Sequence, residues 1–464
     1  MAQSRSSFLK STALMTLIVV MVLSKQVANA QTGTLPLMQI ETQGHRPITS
    51  KTEYIPGTYF IVDNQNPEFS MGSAENPLPL EIKGRGHSSW QGAKKPYKLK
   101  LGEKAPLLGM NKHKHWALLK FYEPTVAGME LGNMMAMDWT PSTRPMEVVL
   151  NGEYLGLYLL TETNRIGKNR LNIYEQPNWN VDEDTLPYGW LVEVDNYYEN
   201  NQIGIRENDS WGMRITYHSP DSLSSAQRQW LLGEFQGMNA AIYDQDKINS
   251  TWEELIDVDA MARYFIIQEV LDNSDGFHGS FYLHKDLADD ARWVAGPLWD
   301  LSCNQRQKTD YTFRMKTSYG FTPHWIGELI KDADFCVAVR SAWKEFYPEQ
   351  VQSWMEYIDE HLLLCNEAFE QEKVMWKYTN QATLEERVEK LKSALLANIE
   401  WFNDNLPTAA GENTNVVPVN REIVKVEYVN MAGVKSARPW NGVNIKVTTY
   451  DDGSTSTTKV VVKQ

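Results

Sequence analysis

The sequence predicts an α+β body followed by a small, separate all-β module, and three features predict it. The first part of the chain is rich in short apolar or alternating runs broken by Gly, Pro and Asn, the pattern of strands. From about residue 222 the apolar spacing changes to the three-and-four pattern of helices. A Pro-, Gly-, Thr- and Asn-rich stretch, "LPTAAGENTNVVPVN", then sets off a last strand-like segment. Strands first, helices second and a detached β tail make the class α+β.

At the start of the chain, Arg5 and Lys10 precede "STALMTLIVVMVLS", an apolar core too short to span a bilayer comfortably. "ANA" at 28–30 fits a small-x-small cleavage site, so 1–30 reads as a secretory signal peptide, with export as its consequence. An uncleaved anchor is the other reading. After cleavage no segment is apolar enough to cross a membrane. From 31 to 405 the chain reads as one body. "PLPLEIKGRG", "KKPYKLKL", "HWALLKF" and "MEVVLNG" are strands, "VVLNGEYLGLYLL" is a hairpin turning at "NGE", and "EPTVAGMELGNMMAMDW" between two strands has helical composition. "GWLVEVDNYY" and "GMRITYH" form a second strand pair. "SLSSAQRQWLLGEFQGMNAAIY" and "DVDAMARYFIIQEVLDN" are helices, "GSFYLHKD" and "RWVAGPLW" a further strand pair, and 325–405 is nearly all helical. Residues 406–420 are the linker and 421–464 the β module.

The 464 residues carry a net charge of −14, which argues against a nucleic-acid partner. It leaves room for a locally basic anion pocket. Three cysteines, Cys303, Cys336 and Cys365, are too few for a disulfide framework, and buried thiols are expected.

Two stretches could carry chemistry. In "LDNSDGFHGSFYLHKD", Asp272 and Asp275 follow a helix, and a strand pair returns the chain to Asp300 in "GPLWD". Converging carboxylates suit a divalent cation such as Mg2+ or Mn2+, or the handling of a hydroxyl proton. The plainer reading is a helix-terminating turn and a local cap. In "KGRGHSSWQGAKKPYKLKL", Arg85, Lys95, Lys98 and Lys100 lie in one segment. Strand period two puts Lys98 and Lys100 on one face and Tyr97, Leu99 and Leu101 on the other. Cations beside loop amides suit phosphate oxygens; an edge strand wearing Lys for solubility is the alternative. His278 and His284 are expected on one strand face as structural groups. His113 and His115 read as a basic turn. Glu193 and Asp195 read as a satisfied strand-end pair, with a further acidic pair near the cleft as the alternative.

Several blocks in combination, "EIKGRGHSSWQGAKKPYKLKL", "PLLGMNKHKHWALL", "VVLNGEYLGLYLLTETNRIGKNRLNI", "LVEVDNYYE", "VLDNSDGFHGSFYLHKD" and "GPLWD", resemble the CotH-like (spore-coat protein H) kinases, in the exported form common in Bacteroidetes. The resemblance runs in order over roughly 35–405. It implies an atypical protein-kinase fold of two lobes around ATP, with Mg2+ or Mn2+, and transfer of the γ-phosphoryl group to hydroxyls of an exported or surface protein. It implies a hinge meeting adenine near Thr161 and Glu162, and phosphates held by the "GRGHSSW" loop and the "YKLK" strand, hence Arg85, Lys95, Lys98 and Lys100. Asp275 would take the catalytic-loop role and Asp300 the metal. Two departures stand out: Asp300-Leu301-Ser302 replaces Asp-Phe-Asp or Asp-Phe-Gly, and Ser280 stands where a kinase puts a metal-binding Asn. They leave open a catalytically weak cell-surface binding or structural protein. The tail loosely resembles those that direct export by the type IX secretion machinery, a plain adhesion module being the alternative.

Overall fold

Seven strands among the first 162 residues close on themselves. They are β1 (Leu37–Thr42), β2 (Ile55–Val62), β3 (Leu78–Gly84), β4 (Tyr97–Ala105), β5 (His113–Lys120), β6 (Thr143–Leu150) and β7 (Glu153–Glu162). One turn of helix, α1 (Ser88–Gln91), lies between β3 and β4, and α2 (Glu123–Met134) lies between β5 and β6. The structure, a computed structural model, describes residues 33–462 except 177–185, 196–200, 205–213, 245, 247–249, 289–290, 308–310, 313–324, 410–422, 431–433, 441 and 451–454. The expected signal peptide at 1–30 and most of the expected linker lie outside the described residues.

The order around the barrel is β1-β2-β3-β4-β5-β7-β6, and β1 closes it by parallel pairing with β6. Alternation does the rest. Ile40, Ile61, Ile82, Leu99, Trp116 and Leu160 point inward and are fully buried. Lys98 and Lys100 therefore point outward, as the strand period requires. The "NG" turn between β6 and β7 is as expected, with Asn151 and Gly152 at φ 52° and 78°.

Strands β8 (Trp190–Asp195), β9 (Gln202–Gly204), β10 (Arg214–Ser219), β11 (Phe281–Lys285) and β12 (Val294–Ala295) form one sheet in the order β12-β11-β8-β10-β9. The sequence reading had two separate strand pairs. They join because β11 pairs with β8, Leu283 opposite Val192; a lone two-stranded ribbon is marginal in water.

The further helices are α3 (Ser225–Ile242), α4 (Trp252–Leu255), α5 (Val258–Leu271), α6 (Trp325–Leu329), α7 (Ala333–Phe346), α8 (Val351–Leu362), α9 (Asn366–Met375) and α10 (Leu384–Asp404); α3 packs on β9 and α5 on β12 of this sheet, and α9 on β7 of the barrel. Capping boxes open α3 (Ser224 with Gln227) and α10 (Thr383 with Glu386). Helix α5 is buried on nearly every side and runs through the large core. The three cysteines are free thiols, Cys336 and Cys365 buried.

The barrel meets the helices at a buried ion pair. Lys94 Nζ lies 2.5 Å from Glu372 Oε2 on α9 and also donates to the Leu157 carbonyl. The same Glu372 oxygen accepts from Leu157 N at 2.7 Å. Glu372 comes so close to β7 that a Cβ on Gly156, at φ 86°, would stand 2.9 Å from its carboxylate. Nearby, Glu147 on β6 is buried and accepts a hydrogen bond from the Tyr154 hydroxyl. Burial, the largest cause, pushes Glu147 up from 4.5 to about 7, and Glu367 adds to it.

The chain divides into two compact units, Met1–Pro407 and Thr408–Gln464. The second is an antiparallel sheet, β13 (Ile423–Asn430), β14 (Lys435–Ser436), β15 (Gly442–Tyr450) and β16 (Thr455–Val462), in the order β14-β13-β15-β16. Among the described residues, no helix is long and apolar enough to cross a membrane.

Two predictions follow from the barrel seam. Lys94→Met strands the Glu372 carboxylate and is expected to cost about 3–5 kcal/mol in denaturant unfolding, with Lys94→Met/Glu372→Leu recovering much of it. The second concerns pH. Folded Glu147 keeps its proton up to about pH 7, whereas the unfolded chain releases it near 4.5. The folded state thus binds more protons between these values, and stability falls as pH rises through the window. Glu147→Gln removes that slope, so its melting temperature should gain on the wild type between pH 5 and pH 8, by up to about 3 kcal/mol of stability. A constant gap across that range would overturn the assignment.

Candidate functional site

The site begins with like charges placed opposite each other. Lys83 on β3 pairs directly with Lys98 on β4. Such pairs are unfavourable unless something offsets them. Arg85, just past β3, and Arg165, just past β7, act on Lys98 as well. Burial first, then Arg165, Lys83 and Arg85, push the Lys98 ammonium down to about 8. No ion pair reaches Lys98 among the described residues. Arg165 also depresses Lys83, after burial. This clustering of cations stands out in a protein of net charge −14, and its electrostatics favour an anion.

The expected phosphate-binding residues separate. Lys98 and Arg85 belong to the wall. Lys100 is held by Glu81 at 2.6 Å on a half-exposed surface. Lys95 is tied within its own loop, donating to the Trp90 carbonyl at 2.6 Å and lying over the Trp90 ring. His115, opposite Lys100, is driven down to about 3 by burial and by Arg165, and His113 to about 4. Both are neutral at pH 7.

Arg85 links this wall to the acidic groups. Its guanidinium lies over the Trp299 ring, 5.2 Å from the centroid, and feels Asp300, Tyr282 and Glu193. Asp300 opens to solvent on one side and is hemmed in on the others. Burial is the largest influence on its carboxyl; Arg85 opposes, Asp275 and Glu193 add, and the net direction is up. No hydrogen bond from a described residue reaches this carboxylate. Asp275 is exposed, with His278 Nε2 3.4 Å from its carboxylate.

Buried polar bonds hold these two aspartates in place. Asn273 accepts from Ser302 Oγ at 2.8 Å and donates to Gln268 Oε1 at 2.8 Å, tying the loop after α5 to the segment after Asp300. Its Oδ1 also faces the Asp275 amide at 3.3 Å. Leu301 is buried in the core, where a Cβ on Gly128 would meet it at 2.6 Å. The Asp-Leu-Ser departure thus has local work: Leu301 anchors and Ser302 ties. Asp272, Ser280 and Asp300 all sit in the left-handed region, at φ 47°, 52° and 50°. Each costs about 1–3 kcal/mol unless the surroundings hold it. Asp300 is therefore both a turn residue and an available carboxylate.

Several expectations need correcting. Asp272 is buried as the cap of α5, 3.8 Å from Arg306, and does not join Asp275 in the cleft. Thr161 and Glu162 are buried inside the barrel ladder, paired with Ala117, Trp116 and Thr143, and Glu162 binds Arg170 at 2.7 Å. Their backbone is no free edge. His278 is in the loop before β11, not on a strand with His284, which faces Asp138 at 3.3 Å. Glu193 is not merely a satisfied strand-end group, because its charge acts on Asp300 and Arg85. Sequence reasoning misses Lys83 and Arg165 and gives Glu193 only as the less favoured of two readings; aligning "EIKG" against "YKLK" as a hairpin finds Lys83.

A second acidic cluster, Glu253, Asp332 and Asp334, lies at the start of α7. Asp332 caps that helix and accepts from the Trp252 indole at 3.1 Å, so the cluster has a structural use. The donor set at Asp300 and Asp275, oxygen-only and solvent-accessible, fits a hard divalent cation.

In this α+β protein, then, cations on β3, β4 and the loop after β7 stand across Arg85 from the carboxylates of Asp300 and Glu193. Residues 81–401, well over half of the chain, match the family described as CotH kinase protein, and the chain belongs to that family. A comparison with curated proteins gave no match.

The wall makes a prediction that needs no enzyme assay. Lys98→Met removes a crowded charge, so the free protein should be as stable as the wild type or more so at pH 7. Binding of tripolyphosphate should nonetheless weaken by about 1.5–3 kcal/mol, roughly ten- to a hundredfold. Lys100→Met, losing only a surface pair, should change either quantity by under about 1 kcal/mol. Calorimetric titration and thermal melts of both variants check this, and equal tripolyphosphate affinities would move the anion site elsewhere.

Proposed function

We propose that the protein is an exported, ATP-dependent protein kinase with an atypical two-lobed fold, the barrel forming one lobe and the helix-covered sheet the other. The observation that carries this is the uncompensated cation wall at Lys98 standing across Arg85 from Asp300, within the family-matched residues. Lys83, Lys98, Arg85 and Arg165 would hold the phosphates of ATP. Asp300 would hold Mg2+ or Mn2+. The cation supplies charge neutralisation at the transferred phosphoryl group. Asp275, exposed and steadied by His278, is placed to accept the proton of an acceptor hydroxyl. The acceptor oxygen then bonds to the γ-phosphorus as the bond to the ADP oxygen breaks, and the proton goes to the Asp275 carboxylate.

The acceptor is an exported or surface protein, and the tail serves export or attachment. These two points rest on the signal-like N-terminus and the β module. A second reading, a nucleotide-binding surface protein with little transfer, is favoured by Ser280, whose hydroxyl is a poorer cation ligand than a carboxamide.

Asp300→Ala decides between them. The purified wild type, given ATP, Mn2+ and a mixed protein acceptor, is expected to transfer labelled phosphate. Asp300→Ala should lose transfer by at least about a thousandfold while keeping its circular dichroism spectrum. A wild type that binds Mn2+–ATP without transferring supports the second reading. One that does neither overturns both.

A further inference from the structure

We infer that Glu193, rather than Ser280, is the second protein ligand beside Asp300 for the divalent cation, an inference that rests on the phosphotransfer reading above. Ser280 is poorly suited to the task. It offers a neutral hydroxyl, and its left-handed backbone at φ 52° sits just before β11, outside the ladder. Glu193 has the opposite properties. It lies mid-strand in β8, flanked by β10 and β11, so its backbone is fixed from both sides. Its carboxylate is 9% exposed, enough to reach and too little to wander.

The groups around Glu193 aim it. His218 Nε2 lies 2.7 Å from its Oε2. Tyr282, directly opposite it in register, also hydrogen-bonds the carboxylate. The His218 ring stacks on Tyr282 with centroids 5.2 Å apart, fixing the donors relative to each other. A carboxylate has about four acceptor positions, so two donors leave lone pairs for a cation. Carboxylates that bind metals are commonly oriented by such hydrogen bonds. Tyr282, opposite Glu193, belongs to the apolar cluster against which Trp299, the residue before Asp300, packs, and the Arg85 guanidinium lies over that same Trp299 ring. Among the described residues, Arg85 is a cation on which both carboxylates act. With a divalent ion between them, Arg85 would be released toward phosphate.

The departure at Ser280 then carries less weight, because a charged oxygen from another sheet strand takes over the missing amide's task. The test is Mn2+ binding in the presence of a non-hydrolysable ATP analogue, read by the electron paramagnetic resonance signal of free Mn2+. Glu193→Gln keeps size and can still accept from His218 and Tyr282; it should weaken Mn2+ by about tenfold or more. Ser280→Ala should stay within about twofold of the wild type. Glu193→Asp, which keeps the charge and withdraws it by one methylene, should fall between them, and it serves if Glu193→Gln does not fold. Ser280→Ala weakening Mn2+ more than the Glu193 variants would overturn the inference while leaving the phosphotransfer reading intact. A wild type that binds no Mn2+ with the analogue would overturn both.

Discussion

A carboxylate sealed from water at the end of α5 is the constraint on which the candidate site depends. Glu269 is wholly buried, and such a charge is tolerated only when fully answered. Arg306 Nη2 answers it at 2.7 Å, and the amide and hydroxyl of Thr312 each reach it at 3.0 Å. Arg306 lies on the Trp401 ring at 3.9 Å, and its amide donates to Asn398 of α10. Asn398 in turn donates to the carbonyls of Val270 and Asn304. One buried charge thereby fixes α5, the segment after Asp300 and α10 in a single arrangement. The loop carrying Asp275 starts where α5 ends, so its position is inherited from this network.

Two buried ion pairs, at opposite ends of the body's chemistry, divide the labour. Glu269–Arg306 sets the acidic side. Lys94–Glu372 sets the barrel against α9 and so sets the strands that carry Lys83 and Lys98. Buried pairs of this kind add little net stability over an apolar packing, but they penalise every arrangement that leaves one member alone. That is a means of fixing the barrel and the helices in one geometry, at the spacing that opposed cations and carboxylates need.

The sequence made the elements legible where local rules govern them. The "NG" hairpin, the helix of "SLSSAQRQWLLGEFQGMNAAIY", the end of α5 near Leu271 and the outward faces of Lys98 and Lys100 all depend on neighbours a few residues away. Closure of the barrel and the merging of two strand pairs into one sheet depend on β1 meeting β6 and β8 meeting β11, which no local period encodes. The same division runs through the site. Asp300 and Asp275 stood out as carboxylates at the ends of apolar runs. Arg165 did not, because an arginine in a loop carries no local sign of what faces it, and Glu193 was legible only as one of two readings, because nothing local decides whether a strand carboxylate is already satisfied. Asp272 misled for the reason that Asp275 did not: only the fold shows that Arg306 and Thr312 already occupy it.

Barrel closure also bears on how the chain is made. Thr42 N donates to Asn151 Oδ1 at 2.7 Å, across 109 positions of sequence, beside the parallel seam of β1 and β6. The first strand of the barrel therefore waits for β6, far along the chain, to find its second neighbour. Until β6 exists, β1 is an open edge, and pairings this distant are slow to form. Any factor that grips the chain around Ile40 holds the barrel open, and with it the wall of strands on which Lys83 and Lys98 are mounted. Closing the β1–β6 seam is thus one condition for mounting those cations on a complete barrel.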